Sequence, residues 1–143
     1  MAKRRRGVKV FLDSSVLFTA VNSPTGGSAK LLNQKNIKCV VSRLVLHEVE
    51  KNVRKKLQEV HLKRFFRLVG LLEVVEDWPD NQEIKEAERV IVKKDAVILA
   101  TAKKSSCIIL VTLDRRDFLQ TEVITYLKPK KVMTPKMFFE WYD

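Results

Sequence analysis

Three aspartates stand where the sequence predicts buried strands to end or a helix to begin. Asp13 directly follows the apolar run Val8–Leu12, and Asp114 follows the run 108–112 after one residue. Asp95 opens a predicted helix over 95–105 and lies on its apolar stripe. A carboxylate removed from water needs a partner, and oxygen ligands without nearby His or Cys suit Mg²⁺ or Mn²⁺. We therefore expect these three aspartates to hold a divalent ion.

Helix capping is the alternative role for each of these aspartates, because Asp is among the commonest N-cap residues. Taken singly, capping explains each one at least as well as metal binding does. Taken together it explains them less well, since two of them leave buried strands and the third points along an apolar stripe. Carboxylates that converge on one cleft also raise one another's pKa values unless a cation lies among them.

The elements that must position these residues alternate between apolar strands and amphipathic helices. Strands are predicted at Val8–Leu12, 39–41, 72–76, 108–112 and Lys131–Met133, with helices between the first four strands and a closing helix to Tyr142. The run 108–111 has no polar alternation, which indicates a central strand covered on both faces. This order predicts an α/β fold, a three-layer α/β/α sandwich around a central parallel sheet. Such sheets bind ligands at the carboxyl ends of their strands, where Asp13 and Asp114 are expected.

The chain of 143 residues is strongly basic, with 28 Lys and Arg against 17 Asp and Glu and a formal net charge of +11. We predict a basic tail over residues 1–7 and a single domain over 8–143, long enough for a sizeable core. The charge favours a polyanionic partner such as nucleic acid, although a solvated basic surface also explains it. The basic residues that flank the acids are candidates to contact nucleic acid; they are Arg43, Lys93, Lys94, Arg115 and Arg116.

Cys39 and Cys107 lie in or beside predicted strands and have neither a pairing pattern nor metal-binding spacing. They indicate reduced core residues of a cytoplasmic protein rather than a disulfide. No apolar run approaches the roughly 18 residues of a membrane span, and the basic start lacks a signal-peptide core. We therefore expect no membrane association.

Glu48 lies in a predicted helix that Ser42 caps and whose core stripe includes Leu46, Val49 and Val53. At about 100° per residue, Glu48 projects about 160° from Leu46, so periodicity favours an exposed surface glutamate. Apolar neighbours on that side of the helix indicate partial cover. The residue pattern therefore leaves the role of Glu48 open.

Four short motifs follow one another along the chain. They are FLDSSVL at 11–17, VS at 41–42 followed by LHE at 46–48, DAVILATA at 95–102, and VTLD at 111–114 followed by DF at 117–118. Together these motifs resemble those of PIN-domain nucleases. The resemblance spans about residues 8–142, in the order and spacing of the family. Within the family, the segment SPTGGS at 23–28 is similar to a loop of the VapC-like toxins of toxin–antitoxin modules.

By this resemblance, the chain carries the acidic metal-site quartet of the family: Asp13, Glu48, Asp95 and Asp114. Asp117 matches an additional acid that some members carry, as a further metal ligand. Ser14 or Ser15 matches the small polar residue after the first acid, and Thr112 matches the hydroxyl residue before the last one. Many members have Asn at the position of Ser15, and a serine there has a shorter reach.

The resemblance implies a hydrolase, an endoribonuclease that cleaves RNA phosphodiester bonds. One or two Mg²⁺ or Mn²⁺ ions would activate water and stabilise charge on the leaving oxygen. The substrate would be single-stranded or structured RNA. A toxin would also have an antitoxin protein as its partner, whereas an RNA-processing nuclease would have no inhibitor.

Two other function classes compete with this interpretation. A non-catalytic RNA-binding scaffold domain that retains the fold predicts the loss of one or more acids, and all of them are present. A nucleotide-binding α/β domain predicts a glycine-rich turn after the first strand, where this chain has Asp13, Ser14 and Ser15. The apolar pair Phe65 and Phe66 fits a homodimer contact or core packing equally well.

Overall fold

The computed structural model describes residues 7–143, so the predicted basic tail lies, apart from Gly7, outside the described residues. The strands in that range are β1 Val8–Leu12, β2 Ile37–Ser42, β3 Glu73–Val75, β4 Ile109–Val111 and β5 Lys131–Met133. They form one sheet in the order β3-β2-β1-β4-β5, and every neighbouring pair is parallel. The predicted short edge strand is confirmed as β3.

Helices connect and cover these strands. They are α1 Ser14–Asn22, α2 Gly27–Leu32, α3 Arg43–Lys56, α4 Glu59–Val69, α5 Asn81–Glu88, α6 Lys93–Lys104, α7 Thr121–Leu127 and α8 Pro135–Tyr142. α1 packs on α2, α3 and α4, while α5 packs on α6. The predicted α/β/α fold with a central parallel sheet is confirmed.

The strand order reverses at β1, which is the central strand. Val10 pairs with Cys39 of β2 on one side and with Ile109 of β4 on the other. The chain builds outward from β1 to β2 and β3, then crosses to the opposite side for β4 and β5. Right-handed crossovers in opposite directions place helices on opposite faces of the sheet. The switch point between β1 and β4 is therefore the edge where a parallel sheet of this kind binds ligands.

The central strands are apolar because helices cover both of their faces. Phe11, Leu12 and Leu110 are buried, as the absence of polar alternation predicts. Ile108 was expected in the same buried strand, but it precedes β4 and is 50% exposed. Phe66 of α4 is 51% exposed, so core packing does not account for it.

Two further sequence expectations concern the cysteines and membranes. Cys39 and Cys107 are both buried and both are free thiols. Among residues 7–143, no helix has the length and apolar character needed to cross a membrane.

Candidate metal centre

Asp13 leaves β1 at the switch point and is held there by hydrogen bonds. Its backbone N–H donates to the Val111 carbonyl at 3.2 Å, which continues the pairing of β1 with β4 beyond the strand. Its Oδ1 accepts from Ser15 Oγ at 2.5 Å and from the Val16 N–H at 3.3 Å, so Asp13 also caps α1. Its Oδ2 accepts from Thr112 Oγ1 at 2.5 Å. Asp13 therefore caps α1 and also lies at the switch point, so its two predicted roles do not exclude each other.

The Asp13 side chain is buried, with 3% of the residue exposed. Burial raises the pKa of its carboxyl above the ordinary value, and the nearby Asp114 raises it further. The hydrogen bonds from Ser15, Thr112 and Val16 lower that pKa, because they stabilise the charged form. Hydroxyl and amide donors thus replace much of the water that the carboxylate has lost.

Two hydroxyls connect Asp13 to the loop that carries Asp114. Thr112 Oγ1 donates to Asp13 and accepts from the Asp114 N–H at 2.9 Å. Ser15 Oγ donates to Asp13 and accepts from the Leu113 N–H at 3.0 Å. Despite its short reach, Ser15 therefore bridges the start of α1 and the loop after β4.

Three carboxylates meet beside this network, and we call Asp95, Asp114 and Asp117 the acidic cluster. Each offers an oxygen atom, and these atoms all lie within 4.8 Å of one another. Asp114 and Asp117 belong to one turn, in which the Asp117 N–H donates to Asp114 Oδ1 at 2.9 Å. The Phe118 N–H donates to the Asp114 carbonyl at 3.2 Å, and the buried Phe118 ring anchors the turn in the core.

Asp95 comes to the cluster from α6 and does not cap that helix. It is the third residue of α6, whose N-cap is Val92 without a side-chain hydrogen bond. Capping, the alternative role for Asp95, is therefore wrong. Asp95 Oδ2 is buried and accepts no hydrogen bond within the described part of the chain.

The electrostatic surroundings of Asp95 disfavour its charged form. Burial is the largest cause that raises its pKa to about 6, and Asp117, Asp114 and Asp13 add to it. Lys94 opposes these effects. No hydrogen-bond donor of the described residues offsets the negative charge on this buried oxygen, and two further carboxylates lie beside it. An all-oxygen set of this kind fits a hard divalent cation such as Mg²⁺ or Mn²⁺.

Glu48 lies close to the network but outside the acidic cluster. It is half-buried, and its Oε2 accepts from Ser14 Oγ at 2.7 Å. The exposed position that periodicity favours is wrong, because α3 packs against α1 on that side. Consecutive serines of α1 thus hold two acids of the predicted quartet, Glu48 through Ser14 and Asp13 through Ser15.

The basic residues named from the sequence have different surroundings. Arg43 forms a bidentate ion pair with Glu76, at 2.6 and 3.0 Å, on the exposed surface. Arg115 and Arg116 are exposed in the turn between Asp114 and Asp117. Lys93 and Lys94 open α6 and are also exposed, directly before Asp95.

Asp117 is the acid that only the family resemblance pointed to. A local signal for it exists in the sequence, since an Asp three residues before it can accept a hydrogen bond from its N–H. This is the bond that Asp114 makes, and it brings both carboxylates to the same side of the turn.

Comparisons with known proteins agree with this fold. The PIN domain family model matches residues 10–123. PAE2754 from Pyrobaculum aerophilum has a similar structure, with a TM-score of 0.61 at 18% identity over 94% of this chain and 95% of that chain. A toxin–antitoxin complex from Klebsiella pneumoniae gives 0.61 at 19%, over 88% and 97% of the two chains. VapBC2 from Rickettsia felis, bound to a DNA fragment from its promoter, gives 0.61 at 16%, again over 88% and 97%. No curated protein sequence is significantly similar to this chain.

At these low identities the solved structures establish the fold alone. The family model establishes more, because its match covers most of the chain and runs from before Asp13 to beyond Asp117. It therefore includes most of β1, all of β4 and all the acids described above, and the chain belongs to the PIN domain family.

Proposed function

We propose that the protein is a metal-dependent endoribonuclease. The observation that carries the proposal is the buried Oδ2 of Asp95, which has no hydrogen-bond partner among residues 7–143, on a residue that offers a carboxylate oxygen within 4.8 Å of oxygens of Asp114 and Asp117. Membership of the PIN domain family supports a nuclease. The net charge of +11 supports a polyanionic substrate.

Each acid has a distinct role in this proposal. Asp95, Asp114 and Asp117 would hold Mg²⁺ or Mn²⁺, and Asp13 at the end of β1 and Glu48 on α3 would complete the site. A divalent ion there would activate water and stabilise the negative charge that develops on the leaving oxygen. Both oxygens of Asp13 already accept hydrogen bonds from hydroxyls, yet a carboxylate has about four lone-pair positions. Asp13 therefore keeps the capacity for a further partner.

The basic residues attract the substrate to an acidic site. RNA phosphates and the acidic cluster repel each other, so cations at the rim are needed to hold the chain. Arg115 and Arg116 are exposed beside Asp114, and Lys93 and Lys94 are exposed beside Asp95. Arg43 takes part only when its ion pair with Glu76 opens.

We further propose that this nuclease is the cytoplasmic toxin of a toxin–antitoxin pair. The likeness in fold to the Klebsiella pneumoniae toxin–antitoxin complex supports this role. The buried free thiols of Cys39 and Cys107 fit a reducing compartment. Expression of the wild-type chain should then arrest growth of a host cell, while Asp95→Asn should not. Equal growth of the two strains would contradict the toxin role.

The nuclease proposal is tested with purified wild-type protein, Asp95→Asn, Asp114→Asn and the control Asp77→Asn. The control removes the same charge from an exposed loop position outside the cluster. We expect cleavage of labelled RNA in Mg²⁺ or Mn²⁺ by wild type and Asp77→Asn, and loss of at least a hundredfold in the other two. Circular dichroism checks that all four are folded. Cleavage that persists in excess EDTA, or that survives Asp95→Asn, would overturn the mechanism.

A further inference from the structure

A groove lies between α1 and α3, beside the serines that bond Glu48 and Asp13. It encloses about 200 Å³. α1 lines one wall with Ser14, Ser15 and Phe18, and α3 lines the other with Asn52 and Lys56. Ser14 and Ser15 are the same residues that hydrogen-bond Glu48 and Asp13, so one end of the groove adjoins these two acids.

The α3 wall continues from Glu48 in a regular pattern. Glu48, Asn52 and Lys56 are spaced four residues apart, so they lie on one face of the helix. That face begins with an acid at the site and ends with a cation two turns away. Phe18 lies opposite it, one turn after Ser14 on α1.

The side chains along the groove provide three complementary kinds of contact. Phe18 is half-buried and gives an aromatic wall. The half-buried amide of Asn52 makes no hydrogen bond within residues 7–143, so its donors and acceptor are available. Lys56 is exposed and forms no ion pair with any described residue. Ring, amide and ammonium match the face of a nucleobase, its polar edge and a phosphate, respectively.

We propose that this groove binds the nucleotide adjacent to the scissile phosphate. Phe18 stacks on the base, Asn52 hydrogen-bonds its edge, and Lys56 pairs with the next phosphate. This assignment rests on the nuclease function proposed above and specifies its substrate. A base can enter the groove only when it is unstacked from its neighbours, so the substrate is single-stranded or looped at the cleavage point.

The contribution of Lys56 is tested by binding of fluorescein-labelled, single-stranded homopolymers of A, C, G and U. The measurements are made in EDTA so that metal-dependent cleavage does not consume the probe. Lys56→Ala is compared with Lys55→Ala, which removes the same charge from an exposed neighbour outside the groove. For Lys56→Ala we expect the slope of log Kd against log salt to fall by about 0.7, the value for one phosphate contact on a single strand. Lys55→Ala should leave the slope unchanged.

The base-binding wall is tested with Phe18→Leu, which keeps an apolar side chain and removes the ring. We expect Kd to rise about tenfold, which is within the range for loss of one base–aromatic stack. Phe139→Leu, at a half-buried Phe of α8 outside the groove, should bind like wild type. Asn52→Ala should reduce the difference in Kd among the four homopolymers.

These measurements separate the groove from the nuclease proposal. If Lys56→Ala matches Lys55→Ala and Phe18→Leu binds like wild type, the groove does not hold a nucleotide, even if the wild-type protein cleaves RNA. The groove also does not hold a nucleotide if the variants bind RNA like wild type but are no longer bound by a protein inhibitor. If the expected binding changes occur without any cleavage by wild type, the nuclease proposal fails, and the groove binds a nucleotide that adjoins no scissile phosphate.

Discussion

Asp13 and Asp95 are acids of the same site in different surroundings. Asp13 accepts hydrogen bonds from two hydroxyls and a backbone N–H, which replace the water lost on burial. Asp95 has a buried oxygen with no hydrogen-bond donor among the described residues, and burial together with three other aspartates raises its pKa. The negative charge of Asp95 is therefore the less compensated of the two. We expect the stabilisation of the folded protein by a cation to depend most on Asp95.

Asp95→Asn should alter the pH dependence of stability in the metal-free protein. Since the pKa of Asp95 is raised from 3.8 to about 6, the folded state binds this proton more tightly than the unfolded state. Its contribution to stability is complete below the unfolded pKa and is lost as pH rises through about 6. We therefore expect Tm, measured in EDTA, to fall less steeply across this pH window in Asp95→Asn than in wild type. Parallel curves would contradict the surroundings described for Asp95.

Thr112→Val should destabilise the protein through the network rather than through packing. Thr112 is fully buried, and valine nearly preserves its shape while removing a donor to Asp13 and an acceptor for the Asp114 N–H. Buried groups left without a partner cost about 1–3 kcal/mol each. The control is Thr101→Val, because Thr101 donates only to the Val97 carbonyl within α6. Urea unfolding should give a larger loss for Thr112→Val, and equal losses would contradict the network.

At the scale of elements, the strand ends bring the first and last acids together. The apolar runs before Asp13 and Asp114 predicted this correctly, because a parallel sheet aligns its carboxyl ends. Glu48 could not be placed in this way, since helical periodicity gives a direction relative to the helix's own stripe and not the packing of α3 on α1. The groove residues Asn52 and Lys56 were missed for the same reason. α7 was also missed, because the seven residues TEVITYL are too short and too β-branched for a clear helical pattern.

Lys130 connects the loop after α6 to the residues before β5, away from the acids. Its substitution tests how much its hydrogen bonds stabilise this part of the fold. Its Nζ donates to the carbonyls of Ser105 and Cys107, at 2.6 and 2.5 Å, and so ties the loop after α6 to the start of β5. Lys130→Met keeps the apolar stem but removes the ammonium group that donates both hydrogen bonds, so we expect a loss of about 1–3 kcal/mol in unfolding free energy. Lys131→Met, at an exposed position of β5, is the control. A Lys130→Met protein as stable as this control would show that the two bonds contribute little.

At the scale of the molecule, charge is divided between the surface and the site. The chain as a whole carries +11, whereas three carboxylates of the same sign meet at the switch point of the sheet. The overall charge would attract a nucleic acid, but the local charge would repel its phosphates. A divalent ion held by the cluster would offset two of its three negative charges and leave the surrounding basic surface unchanged.

Mn²⁺ should therefore stabilise the folded protein, because the three carboxylates come together only in the native state. A ligand that binds the native state alone contributes about 2.7 kcal/mol at a concentration one hundred times its Kd. Thermal unfolding over a Mn²⁺ titration should show this increase for wild type and for Asp77→Asn, which lies outside the cluster. Asp95→Asn and Asp114→Asn should lose most of it. A rise in Tm of the same size in all four proteins would mean that Mn²⁺ binds elsewhere, and the acidic cluster would then be a structural feature of the turn and of α6.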